Sequence, residues 1–350
     1  MSRGPPEGGG GIPTVRVNDP FGIAGDPDMP FLAPALDPSE MEGRLREALG
    51  VDGLRLAGIR VVRHKPGKRC LIEYDAEWGG ASRTILIGKV RARGTDRKSY
   101  AVQRGLWEAG FGEEGRFTVP RPLGEIPDLH MWLQRKEPGI VATEMLAGPE
   151  GKEIAKKVAE LSHELHSRGV PPRRPPHTME GELGILHERL PLVSGEEPKW
   201  RGRIDRILAA CRTLGESLPE PEATPIHRDF YADQILVDGA RLRLLDFDLY
   251  CEGDPGLDPG NFIAHMTEYA MRELGSPDAL KDEEAALEER FVELSGEGVR
   301  AAMRVYAALT LARHIHISRR LPERRRLTAD IICLCEERLL VGSGRRVFGI

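Results

Sequence analysis

Apolar positions along the chain change their period once. Between residues 54 and 91 they fall into three runs rich in Val, Ile and Leu, at 54–64, 69–78 and 82–91. Lys65-Pro66-Gly67-Lys68 and Gly79-Gly80 separate these runs. Such separators are turn chemistry, so the pattern predicts an antiparallel meander. A short helix to about residue 49, capped by Ser39, precedes it, and a helix over 96–109 ending at Gly110 follows. Two short strands are expected at 120–124 and 130–135, and Glu137-Pro138-Gly139 breaks the pattern. From Val141 onward the period becomes helical. Ile154, Val158, Leu161 and Leu165 line one face of a helix over 153–167, with Gly169 at the position of a left-handed cap. Further helices are expected at 179–194, 198–217, 259–274, 281–296, 298–317 and 324–340, interrupted by one β-rich interval at 223–249.

Residues 1–38 carry seven Gly and eight Pro, including the run Gly8–Gly11. Such a segment buries too little apolar surface to offset ordering entropy, so residues 1–37 are expected to be a disordered leader. The pattern then predicts an α+β chain of two lobes: a β-rich lobe over 38–136 and a mainly helical lobe over 137–350. A length of 350 residues allows about two domains. With 40% hydrophobic and 30% charged residues, the composition is that of an ordinary globular protein.

Composition also excludes classes. No stretch of about 18 apolar residues is present, since Arg304, Arg313, His314 and His316 interrupt the longest candidate, so no membrane partner is expected. The N-terminus has no signal-peptide pattern. A formal net charge of −5 argues against nucleic acid as a partner. Five scattered cysteines suit reduced thiols, and the expected location is cytoplasmic. No feature marks an obligate protein partner.

Candidate chemistry is concentrated in Ile226-His227-Arg228-Asp229-Phe230-Tyr231-Ala232-Asp233-Gln234 and, after a turn at Gly239, in Leu244-Leu245-Asp246-Phe247-Asp248. An acid on a loop is followed five residues later by an amide that opens an apolar strand. A second apolar strand returns and delivers a second carboxylate at its end. The two strands bring Gln234 and Asp246 close together. A carboxylate with an amide oxygen suits a hard cation such as Mg²⁺ better than zinc. Asp229 then stays free to face an acceptor hydroxyl.

His227-Arg228-Asp229 with Gln234 resembles the kinase catalytic loop, H-x-D-x-x-x-x-N, and Asp246-Phe247-Asp248 resembles the metal-binding D-F-G. With Gly253-Asp254-Pro255-Gly256-Leu257-Asp258, these variant forms are similar to the aminoglycoside phosphotransferase family of small-molecule kinases. The resemblance covers residues 54–340 as an order of elements and about 224–262 as motifs. It implies a bilobal protein-kinase-like fold, Asp229 as catalytic base, and Gln234 and Asp246 as Mg²⁺ ligands. Gln234 stands where the family usually has Asn; maltokinase-like relatives also carry Gln there. It keeps the amide oxygen on a stem one methylene longer.

Lys89, within Ile85-Leu86-Ile87-Gly88-Lys89-Val90, occupies the place of the kinase lysine that holds the α/β-phosphates of ATP. A lysine inside an apolar strand is costly unless it meets an anion. Lys65-Pro66-Gly67-Lys68-Arg69 falls where kinases place a glycine-rich phosphate loop, but has no G-x-G-x-x-G. No helix Glu clearly pairs with Lys89; Ser99, Gln103 and Glu108 are the nearby positions. Only about a dozen residues separate Asp246 from the helix near Asp258, which leaves no room for a protein kinase's peptide platform. Arg228 is therefore expected only to hold the loop by a hydrogen bond. His314/His316 and Cys333/Cys335, two apart on helices, point to different faces and are read as packing residues. His163 and His166 lack the Glu of a metal-binding H-E-x-x-H. The basic cluster Arg319, Arg320, Arg324–Arg326 reads as a solvated face, with an anionic substrate or partner as its functional alternative.

The expected activity is ATP- and Mg²⁺-dependent transfer of a phosphoryl group to a hydroxyl of a small molecule. ATP would lie between the lobes, with Lys89 neutralising its phosphates. Aminoglycosides are polycations, and no acidic run marks a pocket for them, so a neutral or anionic acceptor such as a sugar fits as well. The rival from another class is a nucleotide-binding pseudokinase with a regulatory or scaffolding role.

Overall fold

A computed structural model describes residues 15–80 and 83–340. The chain folds into two compact units. One contains the residues up to Tyr100 together with Pro120–Glu137, and the other contains Ala101–Val119 and everything from Pro138.

The first unit is built on a six-stranded sheet. Its strands are β1 (Arg16–Asn18), β2 (Arg55–Lys65), β3 (Arg69–Glu77) and β4 (Thr84–Arg91), then β6 (Pro122–Ile126) and β7 (Met131–Arg135). They lie in the order β1-β2-β3-β4-β7-β6, and β5 (Phe117–Thr118) belongs to the other unit. β2 to β4 form the expected antiparallel meander, and β7 continues it beside β4. Alternate residues point to one buried face, among them Ile59, Val61, Ile72, Tyr74, Leu86 and Leu133. Helix α1 (Pro38–Leu49) adds Met41 and Leu45 to that core. Its cap is Asp37, which accepts from Glu40 N at 2.9 Å, and Ser39 lies inside the helix.

The expected leader is not disordered where the structure describes it. β1 pairs in parallel with β2, Arg16 opposite Gly58. Three short 3₁₀ turns follow, at Ile23–Gly25, Pro30–Leu32 and Pro34–Leu36. Ile23, Met29, Leu32 and Ala35 are fully buried in the sheet's core, and Tyr74 Oη donates to Ala35 O at 3.0 Å. The Asp26 carboxylate accepts from Gly67 N at 3.0 Å and meets His64 Nε2 at 2.8 Å, so the strap is tied to the β2–β3 turn. Composition misleads here because four well-placed apolar side chains suffice when a finished sheet supplies the other wall. Residues 1–14 of the expected leader lie outside the described residues.

The two units divide at Glu137 and Pro138, but one stretch within 38–136 lies with the second. Helix α2 (Arg97–Glu108) begins in the first unit, but residues from Ala101 to Val119 belong with the second. Leu106, Phe111 and Phe117 are buried in the second unit's core, and β5 pairs in parallel with β11 (Arg241–Leu244).

The second unit is mainly helical. After β8 (Ile140–Val141) come α3 (Ala142–Leu146), α4 (Gly151–Arg168), α5 (Met179–Glu196) and α6 (Arg201–Glu216). The β-rich interval holds β9 (Thr224–Ile226), β10 (Ile235–Asp238), β11 and β12 (Cys251–Gly253). Helices α7 (Leu257–Glu273), α8 (Lys281–Ser295), α9 (Arg300–Arg320) and α10 (Thr328–Leu340) complete it. Gly169 is extended, with φ −61°, and not left-handed as expected. Its requirement is space: a Cβ would stand 2.5 Å from Leu165 O and 2.5 Å from Tyr250 Oη. Gly260 likewise lets α7 approach α9, since a Cβ there would meet Met303 O at 2.4 Å. Among the described residues no helix is long and apolar enough to cross a membrane.

Candidate active site

Strand β9 ends at Ile226, and residues 227–234 form a loop that leads into the β10–β11 hairpin. The hairpin pairs Ile235 with Leu244 and turns at Gly239, whose φ is +58°. One bond beyond the strands, Leu245 N donates to Gln234 O at 2.8 Å. The register therefore sets residue 234 beside the segment that carries Asp246. Gln234 Nε2 donates to Tyr231 Oη at 3.2 Å, which turns its amide oxygen away from that contact.

The two loops are held by a buried polar network. His227, fully buried, meets Leu245 O through Nε2 at 2.8 Å and packs edge-on against Phe247, ring centroids 5.4 Å apart. It thus fastens the Asp229 loop to the Asp246 loop. Asp258, at the start of α7 and fully buried, accepts from His227 N at 2.8 Å and Arg228 N at 2.7 Å. His166 Nε2 meets the same carboxylate at 2.9 Å. Burial raises the Asp258 carboxyl, but the bonds from His166 and from His227 N outweigh it, so the group lies below its usual range and stays charged. Asn261, one turn on, donates to Phe230 O at 2.9 Å, and its own oxygen accepts from Thr310 Oγ1 at 3.2 Å and an Arg313 guanidinium nitrogen at 2.6 Å. Arg228 and Asp246 adopt left-handed φ values of +69° and +62°. Such backbone is unfavourable for side-chain-bearing residues and persists only where the surroundings impose it.

Asp229 is half-buried at the centre of this arrangement. Burial is the largest cause that raises its carboxyl above the ordinary range; Asp246 and Asp248 add to the rise, while His227 and Arg313 oppose it. A carboxylate whose proton affinity is raised next to two further carboxylates is suited to accept a proton. Beside it lies a cavity of about 490 Å³ within the second unit. Tyr231, stacked on His265 at 4.6 Å, and His314, edge-on to His265 at 4.5 Å, form an aromatic wall. Burial, and then the arginine charges, push His314 down to about 3, so the ring is neutral.

Of the four residues expected from sequence, Asp229, Gln234 and Asp246 come together in this unit, while Lys89 stands on β4 in the other. Lys89 is half-buried, opposite Leu71 and Trp132 in the sheet, with Nζ 4.8 Å from the Trp132 ring centroid. It makes no ion pair among the described residues. Glu108 pairs with Arg104 at 3.7 Å, and Ser99 bonds Asp96 at the start of α2. Arg228 holds the loop by a hydrogen bond, made by its backbone N–H to Asp258, and the residue also lines the cavity. Asp258, His166, Asn261 and Arg313 were not singled out as site residues from sequence. Their partners are remote in the chain, and only the run from Gly253 to Asp258 hinted at one of them.

Residues 97–306, more than half of the chain, match the family described as the phosphotransferase enzyme family. No curated protein matches the chain at the sequence level. Among solved structures, a choline/ethanolamine kinase family protein from Mesorhizobium loti is similar with a TM-score of 0.58 at 14% identity, covering 86% of this chain and 94% of that one. A choline kinase from Cryptosporidium parvum Iowa II gives 0.58 at 12% identity, with 88% and 97% covered. A thermostable variant of aminoglycoside phosphotransferase APH(4)-Ia, in a ternary complex with AMP-PNP and hygromycin B, gives 0.54 at 17% identity, with 87% and 99% covered. At these identities the likeness is one of fold, and the fold is protein-kinase-like.

Proposed function

From the premise that this chain belongs to the phosphotransferase enzyme family, and is thus a small-molecule kinase acting on hydroxyl groups, we propose that it transfers the γ-phosphate of ATP with Asp229 as the catalytic base. The observation that supports this assignment most is the fastening of the Asp229 loop to the Asp246 loop through His227 and Leu245 O, next to an acceptor-sized cavity.

In this reading Asp229 orients the acceptor hydroxyl and takes its proton as the oxygen attacks. Arg313, held by Glu182 at 2.8 Å and by Asn261, keeps positive charge near Asp229. Lys89 on β4 meets the phosphates of the donor; until then its ammonium rests on Trp132. The chain contributes mainly by holding groups in position and by matching the charge of a loose transition state.

The donor set fits Mg²⁺. Among the described residues no three His, Cys, Asp or Glu side chains stand close enough to hold a metal by themselves. Asp246 and the Gln234 amide oxygen are hard oxygen donors, and Mg²⁺ takes few protein ligands because it keeps waters and phosphates. When bound, the ion would neutralise charge on the transferring phosphate.

Wild type should therefore gain thermal stability from ATP with Mg²⁺ and far less with EDTA. A ligand at 100 times Kd adds about 2.7 kcal/mol to the folded state. Asp246→Ala should lose the Mg²⁺-dependent part of the shift. Gln234→Asn should retain much of it, and Gln234→Leu little, because only Asn keeps an amide oxygen. An ATP shift indifferent to Mg²⁺ in both wild type and Asp246→Ala would remove this metal assignment.

A further inference from the structure

The cavity beside Asp229 is lined by five arginines and no lysine: Arg189, Arg228, Arg272, Arg313 and Arg324. Each comes from a different element. Arg189 lies on α5, Arg228 on the Asp229 loop, Arg272 on α7, Arg313 on α9, and Arg324 in the 3₁₀ turn after α9. A solvated basic face follows the period of one helix; convergence from five elements does not.

The carboxylates that line the cavity are fewer than the arginines. Glu268, buried in the same wall, is shared by Arg272 at 3.1 Å and Arg324 at 3.4 Å, and Arg272 also pairs with Glu273. Arg313 is neutralised from behind by Glu182. Asp233 accepts from Thr143 Oγ1. Three acidic residues line the cavity against five arginines; with Glu182 on Arg313, Glu268 on Arg272 and Arg324, and Glu273 on Arg272, the arginines left without a carboxylate among the described residues are Arg189 and Arg228. Neutral His314, whose buried Nε2 has no hydrogen-bond partner among the described residues, adds an unsatisfied polar atom to the same lining.

We infer that the phosphate acceptor is an anionic hydroxyl compound whose carboxylate or phosphate ester is held by the arginines of this cavity while its hydroxyl faces Asp229. The guanidinium fork binds either oxyanion through paired hydrogen bonds, which a lysine point charge cannot match. The Tyr231–His265 stack offers an uncharged surface for the carbon skeleton. A polycationic acceptor would meet Arg189 and Arg228, which have no carboxylate partner among the described residues, in the same lining. Only the placement of the hydroxyl rests on the phosphotransfer reading; anion binding by the arginines does not require it.

Four small hydroxyl compounds that differ mainly in charge test the inference on the full chain: glycerol, glycerate, glycerol 3-phosphate and choline. Binding is measured by calorimetry without nucleotide, in wild type, Arg189→Gln, Arg272→Gln and Lys89→Met. At least one anion should bind about 10-fold or more tightly than glycerol, and choline should bind no better than glycerol. The better anion identifies carboxylate or phosphate as the favoured group. Each arginine variant should weaken that anion about 10- to 150-fold, the range of a hydrogen bond to a charged group, and leave glycerol unchanged. Lys89→Met should leave anion binding intact, which separates this cavity from the proposed nucleotide contact. Arg189→Gln guards against misfolding, because Arg189 is exposed and forms no ion pair. Choline binding more tightly than both anions, neither anion binding below about 10 mM, or arginine variants with wild-type anion affinity would each overturn the inference. Failure of the phosphotransfer reading would show instead as loss of Mg²⁺-dependent ATP binding or turnover while anion binding persists.

Discussion

Asp229→Asn is expected to lower kcat for phosphoryl transfer about 10²- to 10⁴-fold, the usual contribution of a general base. Asn has the same shape and most of the same hydrogen bonding, but it cannot take the acceptor's proton. Affinity for ATP should barely change, because in the proposed arrangement Asp229 faces the acceptor. Lys89→Ala should differ by weakening ATP binding as well as turnover. The pH profile supplies an independent readout. A base must be ionised to act, so the rate should fall as pH drops through the Asp229 pKa. Burial and the neighbouring Asp246 and Asp248 charges raise that pKa, so the acidic limb should lie above the range of an ordinary aspartate. A histidine limb is not expected. Burial holds His265 and His314 neutral. Near-wild-type transfer by Asp229→Asn, measured with saturating acceptor, would show that another group takes the proton.

The second large effect concerns the N-terminal strap. Leu32→Ala should cost about 2–5 kcal/mol, as for other fully buried leucines cut back to alanine. Met29→Ala should cost a similar amount. Deleting residues through Leu36 would remove Ile23, Met29, Leu32 and Ala35 from the first unit's core together. That loss is comparable to the 5–15 kcal/mol that stabilises a typical domain, so the shortened chain should fail to fold its sheet. Denaturant titration of the point variants, with hydrogen exchange along β2 to β4, gives the answer. A loss under about 0.5 kcal/mol for Leu32→Ala would mean that the strap does not dock in solution. Asp26 adds a pH signature. Its bond from Gly67 N is the main cause that lowers its pKa, with His64 and Asp28 N also contributing. A lowered carboxyl contributes stability above its unfolded pKa and loses it as pH falls through the folded value. The strap's attachment should thus weaken in acid, and Asp26→Asn should flatten that dependence.

Much of the fold could be read from the chain because its signals are local. Each strand of the meander is a run of alternating or continuous apolar residues bounded by Gly or Pro, and β2, β3 and β4 lie within a few residues of the expected limits. The helices α5, α7 and α8 do the same on a 3.6-residue period. The candidate site was legible for the same reason. Asp229, Gln234 and Asp246 fall within eighteen positions, and a single hairpin register joins them. Where the reading went astray, local pattern met a non-local partner. Gly169 looked like a helix cap, but it is small because Tyr250 and Pro225 press on it. The segment after Ala101 looked like part of the β lobe until Phe111 and Phe117 found their neighbours on α4 and β11.

What the sequence by itself determined was the order of elements, the two-part division into sheet and helices, and the trio of oxygen-bearing residues on one hairpin. These depend on side-chain period and on spacing over a few residues, which chain geometry converts directly into position. Tertiary structure alone decided how the site is held and what charge it presents. Asp258 meets His227 across 31 residues and His166 across 92, and no period connects those positions. The arginines are scattered from Arg189 to Arg324 among 50 basic residues, and no spacing in the sequence joins the five. Only packing α5, α7 and α9 around the Asp229 loop gathers them into one cavity, and the close approach permitted by Gly260 is part of that packing. Electrostatic character at a site depends on which charges the fold leaves unpaired, and pairing is a property of three-dimensional neighbours.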